Sequence, residues 1–477
     1  MVGIIVDQLR TDYIEYLQNS FGEKGFRTLL TDGVYMRDVD FKADGLDAVS
    51  STAMLLTGAY PSATGVPGAS VYMNDGKGFA QRIPLVKGSQ TLINNDSFTP
   101  EGLRLSTVAD ELVIDSKGAS AVYSIAADPQ TAVIMAGHAG KGAYWINNSS
   151  GNWATTSYYG SIPSAVGNRN FRKPLAQRID TMQWRKYRFS RQDRDVYKKF
   201  AASPLANAEI TDVAIDIIDG LNLGSAAGRT DMLNVAYSLA PYRYSNESSA
   251  REEIEDAYLR LDRQIGRLIE AADRKAGAEN TLIWLVSTGY YNEALPVEEK
   301  YRIPGGDFST KRARSLLNSY LSAKFGSAEY VKAIRGSKVY FDQSALENNR
   351  IDSESVIREA RSFLVKMDGV AEAFTFDEVL SPTNEQLESI RLATDPRSAA
   401  EIYIRFSPGW KIAYDEELLV QTDYIRESPV MTPAFLLAPG IKGRTVDHAV
   451  NAVSLAPALS GILHIRPPNG ARSRGAF

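Results

Sequence analysis

Runs of apolar residues alternate along this chain with segments in which apolar positions recur every three or four residues. Residues 3–7 form an apolar run that ends in Asp7, a pattern typical of a buried parallel strand with a functional carboxyl end. Residues 34–41 alternate as a strand does, and residues 248–276 carry the longest helical stripe. Strands that alternate with helices predict an α/β fold with a mostly parallel central sheet.

The same patterns place the remaining elements and divide the chain. Helices are predicted over residues 12–21, 25–30, 105–116, 208–221, 353–367 and 452–462, and strands over residues 119–125, 132–135, 231–239, 281–287, 338–341, 370–376, 402–406 and 434–437. We interpret residues 1–477 as one domain with two insertions. Residues 142–204 predict a loop-rich cap, and residues 296–397 predict a small α+β insertion.

One stretch, residues 47–65, predicts a loop that delivers a short helix ended by Gly58. Asp47 can cap this helix, so the free N–H groups at its start would form an anion site. Many phosphate-handling enzymes place their nucleophile at such a site. Here the first helical position is Ala48, which has no reactive atom.

Composition narrows the possible chemistry. Apolar residues make up 44% and charged residues 23% of the chain, as in ordinary globular proteins. The net charge is −4 and no basic block occurs, so we predict no nucleic-acid partner. The chain has no cysteine, which excludes disulfides, thiolate metal sites and cysteine nucleophiles. Only His138, His448 and His464 remain as histidines for metal binding or acid–base work.

Hydropathy and the start of the chain suggest a location. No run of about 18 apolar residues occurs, so no transmembrane segment is predicted. Met1 directly precedes the first apolar strand, and we therefore expect that an export signal has been removed and that the protein works in the periplasm or cell envelope, with a cytosolic protein that never had a leader as the alternative. We expect a protein partner there, and the sequence leaves the oligomeric state open.

Five segments in the same order carry a family resemblance. They are VGIIVDQLRTDY (residues 2–13), LTGAYP followed by Gly65, AGHA with AYW (residues 136–145), IEDAYLRLD (residues 254–262) and PPNG (residues 467–470). On these segments the chain resembles the alkaline phosphatase superfamily, specifically its phosphomonoesterases with a threonine nucleophile, which are related to the type I phosphodiesterase/nucleotide pyrophosphatases. The resemblance implies an α/β sandwich whose central sheet is flanked by helices.

The resemblance also implies two zinc ions, which activate the nucleophile and neutralise the phosphate. Of the zinc-ligand positions this chain keeps only Asp7. The nucleophile and the other ligand positions hold Ala48, Ala240, Tyr244, Thr288, Gly289 and Thr422, and the phosphate-contacting positions hold Ala69, Asp128 and Gln130. Losing acids, imidazoles and phosphate-pairing cations together avoids burying unpaired charge. This pattern predicts a vestigial site without a cofactor.

Other polar residues are interpreted as structural. Asp7 is assigned a structural role, with a lone cation or pairing with Arg10 as alternatives. His138 lies outside the metal motifs, and residues 50–52 are expected to satisfy backbone groups and not to act as replacement nucleophiles. The acidic residues between 38 and 47 are interpreted as solvated or capping, with calcium or magnesium binding as the alternative. The basic, aromatic residues 184–191 are interpreted as packing of the cap, with a binding surface as the alternative.

Three functional hypotheses follow. The first is a catalytically inactive relative that serves as a binding or assembly component of the cell envelope, because nucleophile and zinc ligands are lost together. The second is a hydrolase of phosphate or sulfate esters with altered chemistry, including a version in which Asp7 and the acidic residues 38–47 converge on a single metal ion. The third is an anion- or sugar-binding module that reuses the old pocket.

Overall fold

A nine-stranded mixed sheet with helices on both faces forms the centre of the chain in a computed structural model. The structure describes residues 1–74, 79–88, 92–240, 250–291, 305–348, 352–413, 422–424 and 430–472. The strands are β1 (Val2–Asp7), β2 (Val34–Met36), β3 (Val39–Asp40), β4 (Val71–Asn74), β5 (Phe79–Arg82), β6 (Val122–Ala126), β7 (Gly142–Ile146), β8 (Trp153–Ala154), β9 (Gln183–Trp184), β10 (Tyr187–Arg188), β11 (Met232–Ser238), β12 (Ile283–Ser287), β13 (Gly306–Ser309), β14 (Val331–Arg335), β15 (Lys338–Phe341), β16 (Val370–Thr375), β17 (Ile402–Phe406), β18 (Trp410–Ala413), β19 (Thr422–Tyr424), β20 (Ala434–Leu437), β21 (Arg444–Val446) and β22 (Val450–Asn451). The helices are α1 (Thr11–Leu17), α2 (Phe26–Asp32), α3 (Ala48–Thr57), α4 (Pro61–Thr64), α5 (Val108–Asp115), α6 (Pro129–Ala136), α7 (Ser164–Arg172), α8 (Leu175–Arg178), α9 (Val196–Ala201), α10 (Pro204–Gly220), α11 (Ala250–Ala276), α12 (Thr310–Phe325), α13 (Gln343–Asn348), α14 (Ser353–Leu364), α15 (Phe376–Leu380), α16 (Glu385–Ala393) and α17 (Leu455–Ile462).

The strand order of the large sheet is β21-β2-β20-β12-β1-β11-β6-β7-β8. Strand β1 pairs in parallel with β11 on one side and β12 on the other. Antiparallel pairs occur where β20 joins β12 and β2 and where β8 joins β7. The predicted α/β fold with a flanked central sheet is therefore confirmed, with antiparallel strands towards both edges.

Burial of β1 on both faces explains why its sequence is continuously apolar. Ile4 and Val6 belong to an apolar cluster that includes residues of α10 and α11. Ile5 belongs to a second cluster, formed with residues of α3, α5 and α6. Side chains of a strand alternate between its two faces, so a strand covered by helices on both sides has no polar face.

Two stretches in the part of the chain that contains the nine-stranded sheet differ from the sequence-based predictions. Residues 132–135, predicted as a strand, lie in helix α6, because the Asp128 side chain caps its first turn and Pro129 fits the first helical position. This helix is buried on all sides, so its sequence has no helical stripe. Residues 142–204, predicted as a loop-rich cap, begin with β7 in the large sheet and include helices α7, α8 and α9.

A second compact unit consists of residues 72–81 and 292–429. Its four-stranded sheet has the order β14-β15-β17-β16, and a three-stranded sheet has the order β13-β18-β19. The sequence placed residues 402–406 in the main sheet, but β17 pairs with β15 and β16. This unit therefore extends beyond residue 397, where the predicted insertion ended. Within the described ranges, no helix is long and apolar enough to cross a membrane.

Asp262 on α11 connects this helix to α2 and to the residues before it through hydrogen bonds, and its substitution tests how much these bonds stabilise the fold. Its carboxylate accepts hydrogen bonds from the N–H of Gly22 at 2.8 Å and from the N–H of Phe26, at the start of α2, at 2.7 Å. Asp262→Ala would leave the buried N–H of Phe26 and the part-buried N–H of Gly22 unpaired, and we expect a loss of about 1–3 kcal/mol in the free energy of unfolding measured in urea. Glu270→Ala, at an exposed position of the same helix, should change it by less than about 0.5 kcal/mol. Equal effects of the two substitutions would contradict this role of Asp262.

Candidate functional site at the start of helix α3

Helix α3 begins with the capping geometry that the sequence predicted. Asp47 has an extended backbone, and its Oδ1 accepts a hydrogen bond from the N–H of Ser50 at 2.8 Å. The N–H of Asp47 donates to Ser50 Oγ in return, at 2.9 Å. At the other end Gly58 takes a left-handed conformation with φ 65° and donates its N–H to the Met54 carbonyl. These contacts fix both ends of the helix.

The first two N–H groups of α3 are available to a ligand. Ser50 and Ser51 donate theirs to Asp47. Within the part of the chain that the structure describes, no acceptor is recorded for the N–H groups of Ala48 and Val49. Ala48 is also partly exposed. Two free N–H groups at a helix start favour an anionic atom in front of Ala48.

Asp7 lies at the carboxyl end of β1, next to the end of β12. Thr288 follows β12 directly and donates from its Oγ1 to Asp7 Oδ1 at 2.9 Å. Asp7 is partly accessible, yet protein atoms surround its carboxyl group, and this burial raises its pKa to about 6. Arg10, the alternative partner named from the sequence, pairs with Asp12, with Nε and Oδ1 2.8 Å apart. Asp7 is therefore a carboxyl group whose charge changes near neutral pH.

The three predicted phosphate-contacting positions also lie near the start of α3. Ala69 donates its N–H to Asp47 Oδ2 at 2.7 Å, and Gln130 Nε2 donates to the Ala69 carbonyl at 3.0 Å. Asp128 accepts from the N–H and the hydroxyl of Thr131 and so caps α6. Asp128 is exposed as a residue, but protein atoms packed around its carboxyl group reduce the solvation of the charge and raise its pKa. The structure thus brings Ala69, Asp128 and Gln130 close to the start of α3, and we call the surface around them and Ala48 the cleft.

Acidic groups dominate this cleft. The negative charge of Asp47 raises the pKa of both Asp7 and Asp128, so Asp47 lies within electrostatic reach of each. Among the described residues, no Lys, Arg or His is recorded as an ion-pair partner of these three carboxylates. The cleft therefore has the opposite charge to one that holds a phosphate with cations.

The donor set does not fit two zinc ions. Ala240 contributes only backbone and donates its N–H to Ser238 Oγ at 3.1 Å. Gly289 has φ 71°, and a Cβ added there would come within 2.1 Å of the Phe41 ring, so the position has no room for a ligating side chain. No group of three or more His, Cys, Asp or Glu that could hold a metal ion exists in the described ranges.

Two of the predicted vestigial positions are not tested by the described residues. Tyr244 lies outside the described residues. Thr422 lies in β19, a strand of the second unit. Both assignments stay predictions.

The acidic residues before α3 do not form a metal site of their own. Asp40 Oδ1 accepts from the N–H of Lys42 at 3.0 Å, and Asp44 Oδ1 accepts from the N–H of Gly45 at 2.8 Å. Asp47 is the helix cap. These are turn and capping contacts, and they do not converge with Asp7 on one cation as the single-metal hypothesis required.

In the first turn of α3, the Thr52 hydroxyl donates a hydrogen bond to the Ala48 carbonyl at 2.6 Å, so it bonds to the backbone as the sequence predicted.

Gln130 is a site residue whose importance the sequence could not show. Its side-chain carbonyl oxygen Oε1 is buried and has no hydrogen-bond partner. Its partner Ala69 is 61 residues away in sequence, and only the folded chain brings the two together. The family resemblance implies that position 130 is a phosphate-contacting position, but it could not show the unpaired acceptor.

A comparison with protein families agrees with this geometry. The family model for type I phosphodiesterase/nucleotide pyrophosphatase matches residues 1–428. The chain belongs to this family. The predicted relationship to the alkaline phosphatase superfamily is thereby confirmed.

Relatives of this phosphodiesterase family member match along nearly its whole length. It is 26% identical to a "Calcium-transporting ATPase" of Myroides odoratus, over 98% of this chain and 92% of that protein. It is 24% identical to "Alkaline phosphatase PafA" of Elizabethkingia meningoseptica, over 99% of this chain and 92% of that protein. The crystal structure of wild-type alkaline phosphatase PafA superposes with a TM-score of 0.86 at 23% identity, covering 100% of this chain and 98% of that one. The last likeness shows the shared fold.

The prediction of a catalytically inactive binding or assembly protein is wrong. A relative that matches 99% of this family member is named an alkaline phosphatase, and that protein's structure shares the fold from end to end. The error has a physical cause: loss of zinc ligands removes one way of activating a nucleophile, but it leaves the helix start and the Asp7 carboxyl group in place. The predicted cell-envelope location and the protein partner there stay predictions.

His138 illustrates a histidine with a structural role and allows a pH test. Its Nδ1 lies 3.1 Å from Asp110 Oδ2, and its Nε2 lies 2.9 Å from the Leu103 carbonyl oxygen. The hydrogen bond and charge of Asp110 raise the pKa of His138. A histidine whose pKa is higher in the folded state than in the unfolded state stabilises the fold while its ring is protonated. This stabilisation is complete below the unfolded-state pKa and is lost as the pH rises through the folded-state pKa. His138→Gln should therefore lower the free energy of unfolding more at pH 5.5 than at pH 9.

The expected difference between the two pH values is about 0.5–1 kcal/mol, since the ring is partly exposed to solvent. Urea unfolding at both pH values measures it. His448→Gln, which changes an exposed side chain, is the matched control and should show no such difference. An effect of His138→Gln that is the same at both pH values would argue against the ion pair.

Proposed function

We propose that this protein hydrolyses phosphate or sulfate esters in the cleft at the start of α3, without the two-zinc chemistry that the family resemblance implies. The observation that carries the proposal is Asp7: a carboxyl group with a pKa of about 6, held by Thr288 at the carboxyl end of β1. A group that ionises near neutral pH is suited to take a proton from water. The names of the relatives, an alkaline phosphatase and an ATPase, support the same reaction class.

The residues suggest how the reaction would run. Since Ala48 has no nucleophilic atom, water is the nucleophile. The oxygen of that water forms the new bond to phosphorus or sulfur while its proton passes to Asp7, and the bond to the ester oxygen breaks. The N–H groups of Ala48 and Val49 hold an anionic oxygen of the ester. The departing alcohol takes its proton from solvent, and Asp7 releases its own proton to solvent afterwards.

No step in this proposal passes through a metal ion. The residues around Ala48 do not provide a two-zinc donor set, and the described residues hold no group of three metal-ligating side chains. We therefore expect hydrolysis to continue in EDTA. Strict dependence on added zinc would overturn this part of the proposal.

Asp7→Asn tests the proposed base. With p-nitrophenyl phosphate, bis(p-nitrophenyl) phosphate and p-nitrophenyl sulfate as substrates, we expect the substitution to lower kcat/KM by about 100-fold or more, because an amide cannot accept the proton. For the unaltered protein, kcat/KM should rise with pH through about 6, the pKa of Asp7. Failure of the purified protein to hydrolyse any of the three esters at any pH would overturn the proposal.

Thr288→Val distinguishes a change in the pKa of Asp7 from a general structural effect of a substitution. The hydrogen bond from Thr288 lowers the pKa of Asp7 relative to burial alone. Its loss should therefore move the rise in the pH–rate profile to higher pH while leaving activity at high pH largely intact. The matched control is Thr57→Val, a buried threonine at the far end of α3 whose hydroxyl donates to the Ala53 carbonyl, which should not move the profile. An unshifted profile in Thr288→Val would show that Asp7 is not the titrating group.

A further inference from the structure

The charge of the cleft raises a question about its substrate. Asp128 stands where the family resemblance implies a cation in contact with phosphate. Asp47 lies close enough to Asp7 and Asp128 to influence both. A simple phosphate monoester would bring its own negative charge next to these carboxylates, and like charges at short range repel one another. A substrate that fits this cleft should bring a positive charge.

A separate observation points the same way. Gln130 is 6% exposed, and its Oε1 has no hydrogen-bond partner. The amide is fixed in place because Nε2 donates to the carbonyl of Ala69, whose N–H donates to Asp47. The backbone N–H of Gln130 hydrogen-bonds to the Asp128 side chain, so residue 130 contacts Asp128 through its backbone and is linked to Asp47 through Ala69. A buried acceptor without a donor destabilises the unliganded protein, and a ligand that supplies the donor removes this cost.

We propose that the cleft selects esters that also carry a positively charged amine, with the ammonium group held by Asp128, Asp47 and Gln130 Oε1. The ester part of this inference rests on the proposed function. An ammonium group provides three N–H donors and no acceptor, which matches two carboxylates and an amide oxygen. The ester group then lies towards Ala48 and Asp7, and the ammonium charge offsets that of the neighbouring carboxylates.

An organic ammonium fits the described atoms better than a metal ion does. Both oxygens of Asp47 already accept hydrogen bonds, from Ser50 and from Ala69. Asp128 Oδ2 accepts two from Thr131. A hard cation requires several oxygens that converge at about 2.0–2.6 Å, whereas ammonium hydrogen bonds of about 2.8 Å use the remaining lone pairs without moving the caps.

The test compares two substrates that differ mainly in the amine. O-phosphoethanolamine and ethyl phosphate are assayed for release of inorganic phosphate, and the binding of each is measured by titration calorimetry. We expect kcat/KM to be at least about 10-fold higher for O-phosphoethanolamine, the effect of a charge-assisted hydrogen bond. Asp128→Asn, which keeps a good helix cap for α6, and Gln130→Met should each reduce this ratio. Glu270→Gln, at an exposed position of α11, should leave it unchanged.

The outcomes separate this inference from the proposed function. Equal hydrolysis of both esters would overturn the inference and leave the function standing. Tighter binding of O-phosphoethanolamine that is lost in Asp128→Asn, with no hydrolysis of either ester, would support the inference and overturn the function. If neither ester is hydrolysed and O-phosphoethanolamine binds no more tightly than ethyl phosphate, both the inference and the proposed function are overturned.

Discussion

The two oxygens of the Asp47 carboxylate hold the candidate site together. One oxygen accepts from Ser50 and fixes the start of α3, and the other accepts from the N–H of Ala69 and fixes the loop that follows α4. Through the Ala69 carbonyl the same chain of contacts reaches Gln130 on α6. Three segments that are distant in sequence are thus positioned by one side chain, and the free N–H groups of α3 face the space between them.

This arrangement also sets the electrostatics of the cleft. A helix start attracts negative charge, but a capping carboxylate supplies some already. Asp7 and Asp128 add two more acidic groups, and burial pushes both towards their neutral forms. In the cleft, the N–H groups at the helix start attract negative charge, whereas the acidic side chains attract positive charge. An anionic group of a ligand would therefore bind at the N–H groups, and a cationic group would bind at the carboxyl groups. A zwitterionic substrate satisfies both at once.

The sequence predicted most of the scaffold because the relevant signals are local. The cap at Asp47, the stop at Gly58 and the two-faced burial of β1 each follow from a few adjacent residues. Errors arose where a local pattern is ambiguous: the apolar residues 132–135 fit a strand or a fully buried helix equally well. Strand β17 was assigned to the wrong sheet because its pairing partners are set by contacts that are distant in sequence.

The site was harder to predict than the fold. The family resemblance implies which residues stand at ligand positions, but it could not show that Gln130 has an unpaired oxygen or that burial raises the pKa of Asp7 to about 6. Both properties depend on burial and on partners from other elements. Inferring inactivity from the joint loss of nucleophile and zinc ligands failed because that argument considered only the zinc chemistry and gave Asp7 a structural role.

The packing at Gly289 has an evolutionary consequence. A side chain at this position would overlap the ring of Phe41, which is itself 7% exposed, and the left-handed backbone there strains any residue other than glycine. Restoring a metal-binding histidine at 289 would thus require Phe41 to shrink in the same step. A ligating side chain at 289 is therefore reached only by two substitutions made together, and no single substitution supplies it.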